Sequence, residues 1–290
     1  MKILITGAHG QVGWELQRAL APLGEVLALG HTQLDLVNPD AIRQVLRHAA
    51  PDLIVNAAAY TAVDRAEQET DLAQAINGEA PGILAEEALR LNAALVHYST
   101  DYVFDGSKGA PYEEIDATHP QSVYGTSKLA GEKALAAVNC AHLILRTSWV
   151  YGARGKNFLL TMQRLAHERE ELRVVDDQLG APTWSRMLAE ATVSIVSQCL
   201  HKGTVADRLR DRGGLYHLSA GGQTSWFGFA DAIVQQMERP PRMTPISTAE
   251  YPLPAMRPAY SVLSNDKIAR HFGIRLPDWR HSLAQCLACD

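Results

Sequence analysis

The chain has 290 residues, 47% hydrophobic and 20% charged, a composition that excludes disordered, collagen-like and coiled-coil classes and is long enough for two domains. Its 27 Lys and Arg against 32 Asp and Glu give a net charge of -5, which argues against general nucleic-acid binding. No apolar run approaches the roughly 18 residues of a membrane helix. Met1–Thr6 meets Gly7 too early for a signal-peptide core, so a soluble, cytoplasmic protein without membrane or nucleic-acid partners is expected.

In chain order, Lys2–Thr6, Glu25–Leu29, Asp52–Ala58, Ala94–Thr100 and His142–Val150 are short runs rich in Ile, Val and Leu, and read as strands buried on both faces. Helical spacing fills the gaps. After Gly10, Val12, Leu16, Ala19, Leu20 and Leu23 share a face, and Pro22 and Gly24 close the segment. Ala41–His48, Asp71–Asn92 and Tyr124–Ala137 follow the same pattern. Strands alternating with helices predict an α/β, doubly wound parallel sheet with its ligand crevice at the carboxyl ends of the strands. Past residue 150 the pattern loosens. Leu172–Gln178 and Leu215–Ala220 read as strands, Ser185–Leu200 and Phe227–Met237 as helices, and the charged Lys202–Arg212 as a solvated loop. The expected division is a dinucleotide-binding domain over 1–150 and a smaller substrate domain over 151–290, with part of about 183–220 returning to the first.

Four cysteines, Cys140, Cys199, Cys286 and Cys289, are too few and scattered for a disulfide framework, and the lone C-x-x-C at 286–289 lacks the second pair that a zinc site needs. The eleven histidines contain no H-x-x-x-H pair, so no metal ligand set is assigned.

Gly7-x-x-Gly10-x-x-Gly13 follows a strand and opens a helix, the context a dinucleotide turn requires. Gly7 permits the turn, Gly10 lets the backbone approach a pyrophosphate, and Gly13 lets helix and strand pack closely. The helix N-terminus then offers free N–H groups and a positive dipole. At the end of the second strand, where a carboxylate would select NAD, the chain has Gly30-His31-Thr32, and Asp35 follows later. NADP is therefore tolerated and NAD is not excluded. His31 is either a hydrogen-bond partner of a 2′-phosphate or a solvent-facing loop residue.

Tyr124-x-x-x-Lys128 places a phenol and an ammonium on one helix face. A free tyrosine titrates near about 10, and a neighbouring ammonium is expected to lower that by about 1–3 units. The tuned phenol then protonates a carbonyl oxygen as hydride reaches its carbon. Thr100, in Ser99-Thr100-Asp101-Tyr102 at a strand end, is the third candidate, able to bond substrate oxygen and phenol together, with simple capping as the alternative.

These segments, with Asn56-Ala57-Ala58-Ala59, resemble the extended short-chain dehydrogenases/reductases, whose sheet is Rossmann-like and which modify nucleotide sugars. Ala62-Val63-Asp64, Lys128-Leu129-Ala130-Gly131-Glu132, Arg146–Tyr151, Asp177-Gln178-x-Gly180-Ala181-Pro182-Thr183, Leu215–Leu218 and Arg257-Pro258-x-x-Ser261-x-Leu263 are similar to the dTDP-4-dehydrorhamnose reductase family within that group, from residue 1 to about 280. The resemblance implies NADPH or NADH as cofactor and a nucleotide sugar as substrate. By motif, Tyr124, Lys128 and Thr100 are catalytic. Gly7, Gly10, Gln11, Val12, Gly13, His31, Asp35, Leu36, Ala58, Ala59, Tyr60, Tyr98, Tyr124 and Lys128 hold the cofactor. Val63, Thr100, Asp101, Tyr102, Tyr124, Trp149, Asn157 and Arg257 meet the sugar nucleotide. Arg257 is placed at the diphosphate, with a surface salt bridge as its alternative. The family also implies homodimerisation and, in some relatives, a magnesium ion (Mg2+) held by carboxylates at a dimer contact, whose ligands are not identifiable here. Dehydratases of the group carry Asp-Glu after the Thr; Thr100-Asp101-Tyr102 has no Glu, which favours hydride transfer over elimination. A nucleotide-sugar 4-epimerase and a non-catalytic regulatory subunit, resembling the β subunit of methionine adenosyltransferase, remain as alternatives.

Overall fold

The alternating sequence folds as one parallel sheet wrapped by two helical layers. A computed structural model describes residues 1–201 and 203–288. Strands β1 (Lys2–Thr6), β2 (Glu25–Leu29), β3 (Leu53–Asn56), β4 (Ala94–Thr100) and β5 (His142–Thr147) alternate with helices α1 (Gln11–Leu20), α2 (Pro39–Ala49), α3 (Ala80–Leu91) and α4 (Val123–Val138). Then follow α5 (Phe158–Glu168), β6 (Glu171–Val175), α6 (Ser185–Leu200), α7 (Val205–Arg212), β7 (Gly214–His217), α8 (Trp226–Val234) and β8 (Arg242–Ile246). The six-stranded sheet has the order β7-β5-β4-β3-β1-β2, with all pairings parallel. The chain leaves β1 toward β2, then reappears on the other side of β1 as β3, so the crevice opens where β1 and β3 end.

Strand parity explains the two layers. Ile3, Ile5, Leu53, Val55, Val96, Leu143 and Leu145 bury one face together with Leu16 of α1 and Leu188 and Ile195 of α6. Leu4, Ile54, Leu95 and Ile144 bury the other with Ile42 and Leu46 of α2, Leu84 of α3 and Leu135 of α4. Side chains on a strand alternate between faces, so a strand covered on both sides is apolar at every position.

Beyond β5, β6 and β8 pair in parallel. A separate core of Tyr151, Leu159, Met162, Leu172, Trp184, Phe229, Ile233, Trp279 and Leu283 lies there. Cys286 is buried in this core, and Cys289 lies outside the described residues. No described helix is long and apolar enough to cross a membrane.

Three segments differ from expectation for local reasons. Lys202–Arg212 is not a loop: Lys202 lies outside the described residues, and Val205–Arg212 is helical, capped by the Thr204 hydroxyl, which accepts the Asp207 N–H at 3.1 Å. Val205, Ala206 and Leu209 anchor it in the core, so burial of a few apolar residues outweighs the charge-rich surface. Asp71–Asn92 is not one helix. Pro81 lacks an N–H and crowds the carbonyl four residues back, and the chain takes a wide π turn over Gln74–Glu79 before α3. The strand expected to reach Val150 ends at Thr147, because Trp149 adopts φ +46°, and Val150–Tyr151 restarts against Thr183–Trp184.

At the β1–α1 junction, a Cβ on Gly13 would lie 2.1 Å from the Gly7 carbonyl oxygen. Gly13→Ala is expected to cost at least about 1–3 kcal/mol through overpacking. Thermal denaturation should show a midpoint several degrees lower, and an unchanged midpoint would contradict this close approach.

Candidate active site

The turn between β1 and α1 is built for backbone approach. Gly7 has φ +72°, and a Cβ there would sit 2.8 Å from the Ala58 nitrogen. Gly10 donates its N–H to the Gly7 carbonyl at 2.9 Å and caps α1 without a side-chain hydrogen bond. A Cβ on Gly10 would meet nothing nearer than 3.3 Å, so the space outside it is open. The first turn of α1 carries no acid. Its free amides and dipole therefore face a cavity of about 820 Å³.

That cavity gathers most of the residues expected at a dinucleotide. Gly7, Gly10, Gln11 and Val12 line it at one end, with His31, Asp35 and Leu36 beside them. Ala58, Ala59, Tyr60, Tyr98, Tyr124 and Lys128 complete the lining. Gly13 lies beneath the turn rather than on the wall. Sequence reasoning missed Thr6, His9, Ile76, Ser99, Thr147 and Lys156, which also line it. His9, Ser99 and Thr147 lie inside motifs already singled out and could have been carried with them; Ile76 and Lys156 belong to no recognisable spacing, and the fold alone collects them. His31 Nδ1 sits 3.7 Å from Asp35, both well exposed.

Tyr124 and Lys128 project from the first turns of α4, whose N-cap Ser122 accepts the Gly125 N–H at 3.2 Å. Thr100 donates to Asp101 at 3.0 Å and accepts the Tyr102 N–H at 3.2 Å, so it caps the turn that follows the strand, next to the Tyr124 phenol whose rise it opposes. The ammonium does not tune the phenol as the spacing suggested. Lys128 Nζ turns inward, donating to the Tyr98 carbonyl at 2.7 Å and lying 3.3 Å from His97 Nε2. Burial dominates both groups. It pushes the phenol up to about 12, against the pull of Thr100 and with help from the Asp101 charge. It pushes the amine down to about 8, against the pull of Glu132. At neutral pH the phenol holds its proton.

Asp101 is buried under Thr100 and Ser148, which donates to it at 3.1 Å. Burial raises its carboxyl to about 6 despite hydroxyl contacts from Ser261, Thr100 and Ser148. Tyr102 meets Tyr124 edge-on at 5.7 Å. Trp149 stacks on Trp226 at 3.6 Å, over Gly180, where a Cβ would fall 2.3 Å from the Trp149 ring. Trp226, Phe158, Gln178, Thr248, Met256 and Arg257 line a second groove of about 760 Å³. Val63 opens a short helix, Val63–Ala66, whose Asp64 binds Arg257 at 2.7 and 3.0 Å. Arg257 is thus paired with Asp64 while still lining the groove, and its guanidinium holds the Asp64 carboxyl below the usual carboxylate range. Asn157 was expected at the sugar. Its amide instead donates to Gln11 at 3.0 Å and to the Gly152 carbonyl at 2.8 Å, and its oxygen accepts the Leu160 N–H. It clasps the loop before α5 onto the glycine turn, a task that side-chain chemistry alone does not distinguish from ligand binding.

Beneath the site, Arg146 of β5 donates to Glu132 of α4 at 2.9 and 2.7 Å, and Ser99 donates to the same carboxylate. Among the described residues no group of three or more His, Cys, Asp or Glu side chains is arranged to hold a metal, so the expected Mg2+ finds no support.

The profile of the RmlD substrate binding domain matches residues 1–289. The chain belongs to the RmlD substrate binding domain family. A family relative, dTDP-4-dehydrorhamnose reductase of Burkholderia thailandensis, is 51% identical over 299 residues, covering 99% of this chain and 98% of the relative. Among solved structures, a dTDP-4-dehydrorhamnose reductase from Clostridium acetobutylicum superposes with TM-score 0.92 at 38% identity, covering 100% of this chain and 99% of that one. The Bacillus anthracis enzyme of that name, solved in complex with NADP, gives 0.91 at 36%, covering 100% and 99%.

Glu132 and Arg146 are both buried, so removing one partner strands a charge. Glu132→Ala is expected to destabilise the fold by about 3–5 kcal/mol, read as a lower urea midpoint; retention of the wild-type midpoint would show that the pair does not hold α4.

Proposed function

We propose that the chain reduces the C4 ketone of dTDP-4-dehydro-L-rhamnose to dTDP-L-rhamnose, using NADPH or NADH. One observation carries this reading: the glycine-turn amides and the Tyr124, Lys128 pair line a single cavity. The glycine turn fits a dinucleotide: Gly7 and Gly13 let β1, the turn and α1 approach with no side chain between them, and Gly10 presents bare backbone to the cavity. The names of the relatives support the substrate, and the NADP complex of one supports the cofactor class. At the end of β2 no carboxylate precedes Asp35, which favours acceptance of a 2′-phosphate.

When bound, the reduced nicotinamide supplies a hydride to the ketone carbon. Tyr124 donates its phenolic proton to the ketone oxygen as that oxygen takes up the carbonyl electron pair, leaving a secondary alcohol and a phenolate. Thr100 is assigned to bond the substrate oxygen beside the phenol. Lys128, cationic below about 8, lines the same cavity and brings a positive charge to the coenzyme side of it. Residues 1–150 with α6 and β7 hold the dinucleotide in this reading. The remainder, with its 760 Å³ groove, is assigned the sugar nucleotide, and Trp149, Tyr102, Val63 and Asp101 are assigned to the sugar by motif alone.

Purified protein should oxidise NADPH or NADH only when dTDP-4-dehydro-L-rhamnose is supplied, and no oxidation with that sugar would refute the reading. Tyr124→Phe should lower kcat by about 10²–10⁴-fold with coenzyme binding retained; a variant with wild-type turnover would remove Tyr124 as the acid. Because Lys128 loses its proton near about 8 and Tyr124 near about 12, kcat should fall as pH rises through the lower value. A plateau persisting well above it would show that the cationic amine is dispensable.

A further inference from the structure

A polar row crosses the sheet directly under Lys128. Thr6 pairs in register with Asn56, and Asn56 with His97, on three adjacent strands. All three share the strand face covered by α4, as their parity with Leu4, Ile54 and Leu95 requires. All are almost fully buried, as is Lys128 at 2% exposure. The row is hydrogen-bonded end to end. The Ala58 N–H reaches Thr6 Oγ1 at 3.3 Å, and the Thr6 hydroxyl donates to Asn56 Oδ1 at 2.6 Å as the amide is placed. Asn56 Nδ2 as placed lies 2.9 Å from His97 Nδ1, its nitrogen and oxygen being interchangeable by a half-turn of the amide, and His97 Nε2 lies 3.3 Å from Lys128 Nζ.

Proton accounting constrains this row. A neutral imidazole has one donor and one acceptor nitrogen, an ammonium has three donors and no acceptor, and a side-chain amide can present either its oxygen or its nitrogen at one position. If the Asn56 nitrogen faces Nδ1, the ring proton must sit on Nε2, where it opposes the ammonium, donor against donor. If the Asn56 oxygen faces Nδ1, every contact is satisfied with the heavy atoms unmoved. Nδ1–H then donates to Asn56, Nε2 accepts from Lys128, and Thr6 Oγ1 accepts from both Asn56 and Ala58. The Thr6 hydroxyl proton is left free at the cavity wall. A buried ammonium facing a donor is the costlier defect.

We infer that His97 is a positioning residue for Lys128: a neutral ring protonated at Nδ1, held by the Asn56 carbonyl oxygen, whose Nε2 accepts one ammonium N–H. The Tyr98 carbonyl takes a second at 2.7 Å. The third is thereby aimed at the cavity that Lys128 lines. Burial, reinforced by the Lys128 charge, holds the ring well below the usual histidine range, which keeps it neutral. The other groups near the pair are accounted for. Glu132, one turn along α4, is engaged by Arg146 and Ser99. Tyr124 stands one turn before, and the Tyr98 phenol points to the opposite face, bonded to Thr192 at 2.6 Å.

The inference concerns the tautomer and the amine, and its catalytic consequence rests on the proposed reductase activity. The test has two arms. In full-length protein labelled with ¹⁵N-histidine, long-range ¹H–¹⁵N correlation spectra should show His97, assigned by its loss in His97→Gln, as the Nδ1–H tautomer; the Nε2–H tautomer overturns the proposal. This arm needs no substrate, so absence of turnover on the sugar would refute the activity without touching it. In kinetics, His97→Leu removes the acceptor and destabilises the cation. The alkaline limb of kcat should therefore move down by about one pH unit, with KM for the sugar unchanged, and His97→Gln, which restores an acceptor at that reach, should return it. A limb unmoved in His97→Leu overturns the proposal. If the leucine variant fails to fold, the tautomer and the position of the limb in His97→Gln decide: a limb displaced in that variant counts against it.

Discussion

The geometry of the site depends on how closely α4 lies on its neighbours. A Cβ at Gly125 would fall 2.2 Å from the Tyr102 carbonyl oxygen, and one at Gly131 2.0 Å from the Asn77 carbonyl oxygen. Two glycines, six residues apart on one helix, therefore let backbone meet backbone on two sides. The Arg146–Glu132 pair then ties the same helix to β5. Close approach sets the depth of the helix and the ion pair its rotation, so Tyr124 and Lys128 reach the strand ends with little freedom. Ser127, between them in sequence, accepts a hydrogen bond from Asn77 at 3.1 Å and fastens the π turn to the same surface.

Depth also decides the electrostatics. Taking a phenol and an amine out of water favours the neutral form of each, raising one and lowering the other. An exposed Tyr–Lys pair on a helix would show mainly mutual attraction. Here desolvation outweighs attraction, because the ammonium is directed at a carbonyl and a ring nitrogen rather than at the phenol. A phenol that keeps its proton is suited to donate one, which matches reduction of a ketone.

Much of this was legible in the sequence because it follows local rules. Doubly buried strands must be apolar at successive positions, and β1 and β4 were readable to the residue for that reason; β2 was readable from its apolar run, although it lies at the sheet edge with Leu27 exposed rather than buried on both faces. The Gly7, Gly10, Gly13 spacing and the four-residue step from Tyr124 to Lys128 are short-range and survive inspection without a fold. What escaped depends on distant partners. Arg257 finds Asp64 across 193 positions, and Asn157 finds Gln11 across 146. The orientation of Lys128 hangs on His97, a strand residue whose neighbours are set by sheet register. Asp71–Asn92 misled because its apolar spacing is helical throughout while Pro81 imposes a wider turn. Val205–Arg212 misled because only three of its side chains are anchored beneath many charges.

The late return of β7 to the edge of β5 has a consequence for synthesis. During translation the five preceding strands leave the ribosome first, yet α6, which covers α1, and β7, which closes the sheet, emerge only after α5 and β6. Until then the nascent sheet shows an open edge beside β5 and a bare apolar flank, features that invite association with other chains. A fragment cut at residue 150 would be caught permanently in that state, so the coenzyme half cannot be excised as a simple N-terminal piece.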